Sequence, residues 1–172
     1  MKKDKIRIYL ASPYGFTDAG REFMSNSIIP SIRAENFEIL NPWEHYDSVS
    51  DQMSKISFHE SLSKQREMLN ELNKNLAGTN AKNIEQSDIV IAILDGPDVD
   101  SGVASEIGYA YAMGKKIIGY RSDFRLSGDN LAAIVNIQVE YFVRQSGGMI
   151  VRNTSELREI VARIRSRLTT LQ

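Results

Sequence analysis

Short apolar runs alternate with stretches of helical periodicity along most of this chain. Ile6–Ala11 (IRIYLA) is rich in strand formers and ends in a breaker cluster, Ser12-Pro13-Tyr14-Gly15. Thr17 and Asp18 then supply an N-cap and early negative charge for a helix expected to reach about Glu35. Pro30 lies inside it and, lacking an N–H, should kink it there. Phe37–Leu40 reads as a second strand, closed by Asn41-Pro42. Asp88–Leu94 (DIVIAIL) is the most apolar run and has the pattern of a central parallel strand, buried on both faces. Ser101–Met113 follows as a helix, with Gly114 at its left-handed C-terminal position. Lys116–Tyr120 (KIIGY) is a fourth strand, and Val139–Val143 (VEYFV) is expected to be the fifth. Thr154-Ser155-Glu156 should cap a last helix, in which Leu157, Ile160, Val161, Ile164 and Leu168 keep helical spacing.

Between Tyr46 and Asn83 the alternation fails. This segment is polar, shows no strand, and should hold one long helix around Ser61–Leu76. Leu62, Leu69 and Leu76 recur there every seven residues beside Met68 and Leu72, a stripe we expect to pack on the chain's own sheet rather than on another subunit. Strand-helix alternation elsewhere predicts an α/β fold, a five-stranded parallel sheet with helices on both faces. With 172 residues, no repeat and no low-complexity linker, residues 1–172 should form a single domain.

Composition narrows the chemistry. Lys plus Arg number 21 against 22 Asp plus Glu, so the net charge of -1 offers no basic excess for nucleic acid. There are no cysteines, and His45 and His59 alone do not make a structural zinc site. The amino-terminal segment does not resemble a secretory signal and no apolar run approaches membrane-spanning length, so the expected location is cytoplasmic, without a membrane partner.

In parallel sheets ligands bind beyond the carboxyl ends of the strands. The densest polar cluster lies there, after the central strand, where Asp95, Asp98 and Asp100 share a Gly/Pro loop. Gly102 and Glu106 are four apart and share a face of the following helix, whose Gly102, Gly108, Ala110, Ala112 and Gly114 permit close approach. Near a helix start, the dipole should favour an ionised Glu106. Such a carboxylate can attack an electrophilic carbon or stabilise a cation. Two plainer readings stand beside it: Asp98 and Asp100 cap the helix while Glu106 faces solvent, or the carboxylates hold magnesium, although their spacing fits no calcium loop. Neither G-x-G-x-x-G nor a P-loop lysine occurs after the first strand, which argues against a dinucleotide.

The sequence resembles the nucleoside 2-deoxyribosyltransferase family over nearly its whole length, from Ile8-Tyr9-Leu10-Ala11-Ser12-Pro13 to Glu140-Tyr141-Phe142. The core of the resemblance is Asn80, Ile84, Ser87–Ala92, the run Asp98-x-Asp100-x-Gly102-x-x-x-Glu106-x-Gly108-x-Ala110-x-Ala112-x-Gly114-Lys115, and Tyr120–Arg125. It implies a flavodoxin-like (Rossmann-like) fold, no cofactor or metal, and exchange of the base on 2′-deoxynucleosides through a covalent sugar-enzyme intermediate. Glu106 matches the family's nucleophile, Asp100 an aspartate that contacts the sugar or assists proton transfer, and Tyr9 the tyrosine that holds the nucleophile. Asp98 and Gly102, in the same run, fall among the substrate-binding positions. Asn80 stands where some members carry aspartate, and His45 and Tyr14 are further candidates for the base. Asn136-Ile137-Gln138 resembles a segment that reaches a neighbouring subunit's site, so Asn136 and Gln138 are expected at the sugar's 5′ end and the enzyme is expected to be a homo-oligomer. The implied partners are 2′-deoxynucleosides and free nucleobases.

Two rivals remain at this point. A hydrolase of the same family would cleave 2′-deoxynucleoside 5′-monophosphates and would want Arg near the 5′ end, whereas no Arg precedes Arg21 in the loop after the first strand. A non-catalytic nucleotide-sensing module could share the fold but would have no need of Tyr9, Asp100 and Glu106 together.

Overall fold

The computed structural model describes residues 5–33, 35, 37–58 and 61–170. Its centre is a five-stranded sheet of β1 (Arg7–Ala11), β2 (Glu38–Leu40), β3 (Ile89–Ile93), β4 (Lys116–Tyr120) and β5 (Met149–Val151), in the order β2-β1-β3-β4-β5. Every pairing is parallel, with Tyr9 opposite Leu40 on one side and Val90 on the other. This is the flavodoxin-like order, and the chain reverses direction across the sheet at β1 and β3, where a crevice opens beyond the strand ends.

Strict alternation sends successive side chains to opposite faces. Ile8, Leu10, Ile89, Ile91, Ile93 and Ile118 pack on one face against Ile28, Ile32, Leu157 and Val161. Those partners come from the segment after β1 and from α7 (Thr154–Thr170). Tyr9, Ala11, Val90, Ala92 and Ile117 face the other way, onto Ile84, Val103, Ile107, Val139 and Val143. These belong to α4 (Leu62–Gln86), α5 (Ser101–Ala112) and α6 (Ile137–Gln145). Tyr9 is thus the one bulky polar-tipped side chain among the β1 residues on that face, and it is fully buried.

Four expectations need correcting. Val139–Val143 is part of α6, and the fifth strand is Met149–Val151. The β-rich composition of VEYFV yields to a helical signal: Asn136 caps the helix, Val139 and Val143 are buried at i and i+4, and Arg144 pairs with Glu140 at 2.6 Å. The single helix expected from Thr17 to about Glu35 is α1 (Asp18–Phe23), a π-helical turn (Met24–Ile28) and α2 (Ile29–Arg33). Instead of a kink alone, the ladder widens just before Pro30, where the missing N–H leaves it without a regular bond. The last helix is capped by Asn153, one residue earlier than expected: its Oδ1 accepts from Glu156 N at 2.9 Å, while the Glu156 carboxylate accepts from Arg152 N at 2.7 Å and from the Asn153 side-chain amide at 2.9 Å. Leu168 and His59 lie outside the described side chains.

The fourth correction concerns the polar middle. It holds two helices, α3 (Tyr46–Ser57) and α4, and α4 runs ten residues past Leu76 to Gln86. Only Ile84 near its end is buried in the sheet core. Leu72 and Leu76 face grooves shared with α3 residues Ile56, Val49 and Met53, so this part of the leucine stripe meets a neighbouring helix rather than the sheet, while Leu62 is exposed. Among the described residues no helix is long and apolar enough to cross a membrane.

Candidate active site

Two elements of the sheet's reversal point supply the centre of the site. Tyr9 on β1 donates its hydroxyl to Glu106 Oε1 at 2.6 Å, across from the second turn of α5. Asn80, on the last turns of α4, donates its amide to the same oxygen at 3.4 Å. Among the described residues no donor bonds Oε2, so the two donors orient the carboxylate by one oxygen and leave the other facing outward. Beside it lies a cavity of about 390 Å³ lined by Ala77, Asn80, Ala81, Gly102, Ser105 and Glu106, with Ile84 and Tyr109 at its edges. That volume lies within the range of small-molecule pockets, about 300–1,000 Å³. The small residues of α4 and α5 open it. Gly102, Ala77 and Ala81 leave space that longer side chains would fill.

Burial is the largest influence on Glu106 and raises its pKa above the usual glutamate value; the Tyr9 hydrogen bond opposes this, and the Asp100 charge adds to it. The helix dipole expectation is corrected by this arrangement. Six residues in from the start of α5, Glu106 lies past the first turn, where the open amides act. One of those amides, Val103 N, is taken by Asp100, whose Oδ1 accepts from it at 3.0 Å. Asp100 is therefore the N-cap of α5 as well as a charge near Glu106. Burial, and after it the Glu106 carboxylate, raise the Tyr9 hydroxyl's pKa, which keeps that hydroxyl protonated and donating.

A second cavity of about 390 Å³ adjoins the first through Asn80, which lines both. Its walls are Phe16, Pro42, Trp43 and Tyr46 with Val49, Met53 and Leu76. The aromatic rings meet edge to face or tilted, Phe16 on Trp43 at 4.7 Å and Trp43 on Tyr46 at 6.2 Å between centroids. Apolar aromatic walls beside an amide suit a flat heterocycle. Sequence reasoning missed this wall, although Tyr46, Val49, Met53 and Ile56 carry helical spacing and Trp43 follows the end of the second strand.

The other expected residues fall as follows. Asp98 is exposed and its Oδ1 accepts from Val99 N at 2.7 Å. His45 is exposed at the start of α3, between the cavity residues Trp43 and Tyr46 but not itself lining the cavity. Tyr14 lines neither cavity; its hydroxyl donates to Asp95, and its ring packs edge-on against Phe23. Asn136 caps α6, accepting from Gln138 N at 3.0 Å and Val139 N at 3.4 Å, and Gln138 is exposed. Arg21 spends its guanidinium on Gly15 O and Asp18 and lies over the Tyr46 ring. Among the described residues no group of three His, Asp or Glu side chains is placed to hold a metal ion.

The profile of the family described as nucleoside 2-deoxyribosyltransferase matches residues 8–156. Among solved structures, a conserved protein from Enterococcus faecalis V583 is similar at 23% identity, covering 92% of this chain and 98% of that one with a TM-score of 0.66. A 2-deoxyribosyltransferase from Bacillus psychrosaccharolyticus is similar at 21% identity, over 88% and 90% of the two chains, TM-score 0.58. Its counterpart from Leishmania mexicana is 21% identical over 78% and 85%, TM-score 0.54. At these identities the likeness is one of fold. No curated protein sequence matches this chain significantly.

Proposed function

The chain belongs to the nucleoside 2-deoxyribosyltransferase family, and from that premise we propose that it exchanges the base of 2′-deoxynucleosides by double displacement at Glu106. The observation that carries this reading is the oriented Tyr9–Glu106 pair, 2.6 Å apart, at the wall of a cavity of nucleoside size. In the first step Glu106 Oε2 forms a bond to C1′ as the C1′–N bond breaks, and the base leaves with the electron pair and takes up a proton. In the second, the nitrogen of an incoming base attacks C1′ and gives up its N–H proton, the ester bond breaks, and Glu106 is restored as a carboxylate, so the proton taken up by the first base is returned. Two inversions return the original anomeric configuration.

Each residue has a physical task. Positive charge develops on the sugar in the transition state, so a carboxylate fixed close to C1′ stabilises it more than it stabilises the neutral ground state. Without a 2′-hydroxyl, less electron density is withdrawn from C1′, and the cation is reached more readily. Tyr9 holds the carboxylate through Oε1 and leaves Oε2 for attack. Asn80 stands between the sugar and aromatic cavities, where its amide can meet the base edge. Phe16, Trp43 and Tyr46 form the apolar wall against which the base packs. Asp100 reaches the sugar hydroxyls or the proton in transit. The proposal includes a cytoplasmic role in nucleotide salvage and a homo-oligomer in which Asn136 supports a neighbouring site.

The test is exchange itself. Deoxyinosine and adenine mixed with the protein in phosphate-free buffer should yield deoxyadenosine. Release of deoxyribose 5-phosphate from a monophosphate, without exchange, would favour the hydrolase instead.

A pH profile gives an independent check on Tyr9. Glu106 attacks only when ionised, so activity is lost as pH falls through its raised pKa, and the acid limb of kcat/KM should lie above the ordinary glutamate value of 4.5. Tyr9→Phe removes the hydrogen bond that lowers that pKa. Its acid limb should therefore move to still higher pH, and a limb left in place would show that the hydroxyl does not hold the nucleophile.

A further inference from the structure

Asp95, the second residue after β3, accepts three hydrogen bonds that join otherwise separate loops. Its Oδ2 takes the Tyr14 hydroxyl and the Ser122 hydroxyl, the latter at 2.6 Å, and its Oδ1 takes Asp123 N at 2.8 Å. Tyr14 belongs to the 3-10 turn Pro13–Phe16. That turn is packed against the aromatic wall: the Trp43 indole donates to Ser12 O at 2.8 Å, and Phe16 meets the Trp43 ring. Gly15 presses so closely on that ring that a Cβ there would come within 1.8 Å of it. On its other side, Asp95 opens the loop that leads through Asp100 into α5 and Glu106.

We infer that Asp95 is a positioning residue of this site, whose carboxylate fixes the aromatic wall at a set distance from the helix that carries Glu106. The inference rests on the two-cavity reading given above and adds to it a residue that touches neither cavity. Three donors converge on one carboxylate, and hydrogen bonds to an ionised acceptor are the stronger kind. The rigid link matters because a base misplaced by a fraction of an ångström no longer presents its nitrogen to C1′. Asp95 thus acts on binding of the base through Tyr14, not on the bond-making step.

Trp43 is the only tryptophan in the sequence, so its fluorescence reports on the wall directly. We expect Asp95→Asn, which has one acceptor oxygen and cannot accept from Tyr14, Ser122 and the Asp123 amide together, to raise the KM for the acceptor base about tenfold while kcat at saturating base stays within about twofold. Tyr14→Phe should raise the same KM to a similar degree, and the double variant should be no worse than either single one, because both break one link. Both single variants should shift the Trp43 emission in the absence of any substrate. Multiplying effects in the double variant, a lower kcat with unchanged KM, or an emission spectrum identical to wild type in both variants would each overturn the inference. If Asp95→Asn does not fold, Tyr14→Phe and Ser122→Ala carry the same readouts. Should the wild type exchange no base at all, the functional reading fails, while the Trp43 emission of the two variants still decides for or against the link.

Discussion

Replacing Glu106 by alanine is expected to lower base exchange by at least about a thousandfold while leaving the protein folded. Removing a nucleophile that acts together with its partners typically eliminates most of an enzyme's rate enhancement, because the remaining groups then orient nothing. No neighbour can take over. Asp100 is committed to the Val103 amide as the cap of α5, and the Tyr9 hydroxyl is held protonated by burial and by the very carboxylate it binds. The fold should tolerate the change because Glu106 contributes a half-buried charge whose ionised form burial disfavours. Steady-state exchange and a thermal melt check the two halves. Turnover within tenfold of wild type in a folded Glu106→Ala protein would remove Glu106 from the chemistry.

The largest structural effect is expected at Arg121. This side chain is fully buried after β4, and its guanidinium donates to three main-chain carbonyls. One nitrogen reaches Leu94 O and Gly96 O, and the other reaches Gly96 O at 3.3 Å and Arg125 O at 2.8 Å. It therefore holds together the loop that leads into α5 and the loop that follows β4. Arg121→Met fills a similar volume but leaves those carbonyls buried without donors, which we expect to cost about 3 kcal/mol. For a chain of this size that corresponds to a fall in Tm of about 10 °C. Urea unfolding with an unchanged m value measures it. A loss below about 1 kcal/mol would mean the loops are held elsewhere.

How much of this could be read from the chain is clearest at individual residues. DIVIAIL announces a central strand because a strand covered on both faces has no polar alternation to mimic a helix. IRIYLA and KIIGY are nearly as plain. VEYFV misled because strand propensity is a local average, while the deciding features, a capping Asn136 and the i, i+4 pair Val139 and Val143, extend beyond a five-residue window. β5 was hidden by its length, three residues after a Gly147-Gly148 turn. α3 was hidden by polarity. Its apolar residues line a groove rather than the main core, so they are few and widely spaced.

The site divides in the same way. Tyr9 and Glu106, 97 positions apart, became candidates through a family resemblance, and the parallel register of β1 and β3 then brings them into contact. Periodicity could not have paired them. Asp95 and Arg121 were within quoted motifs, but their partners are main-chain and loop groups that only folding assembles. The upward shift of the Glu106 pKa was hidden from the sequence for a related reason. Distance from a helix end can be counted in the sequence, but desolvation depends on what packs over the side chain.

The central claim is that Glu106 becomes esterified to the sugar. A rapid-quench mass measurement of the intact protein, mixed with a 2′-deoxynucleoside donor and no acceptor base, tests it most directly. The account predicts a mass gain of one deoxyribosyl unit, mapped by peptide digestion to Glu106 and discharged as a new nucleoside when a free base is added. Exchange that proceeds with no adduct at any time point, or with the adduct on a residue other than Glu106, would contradict it.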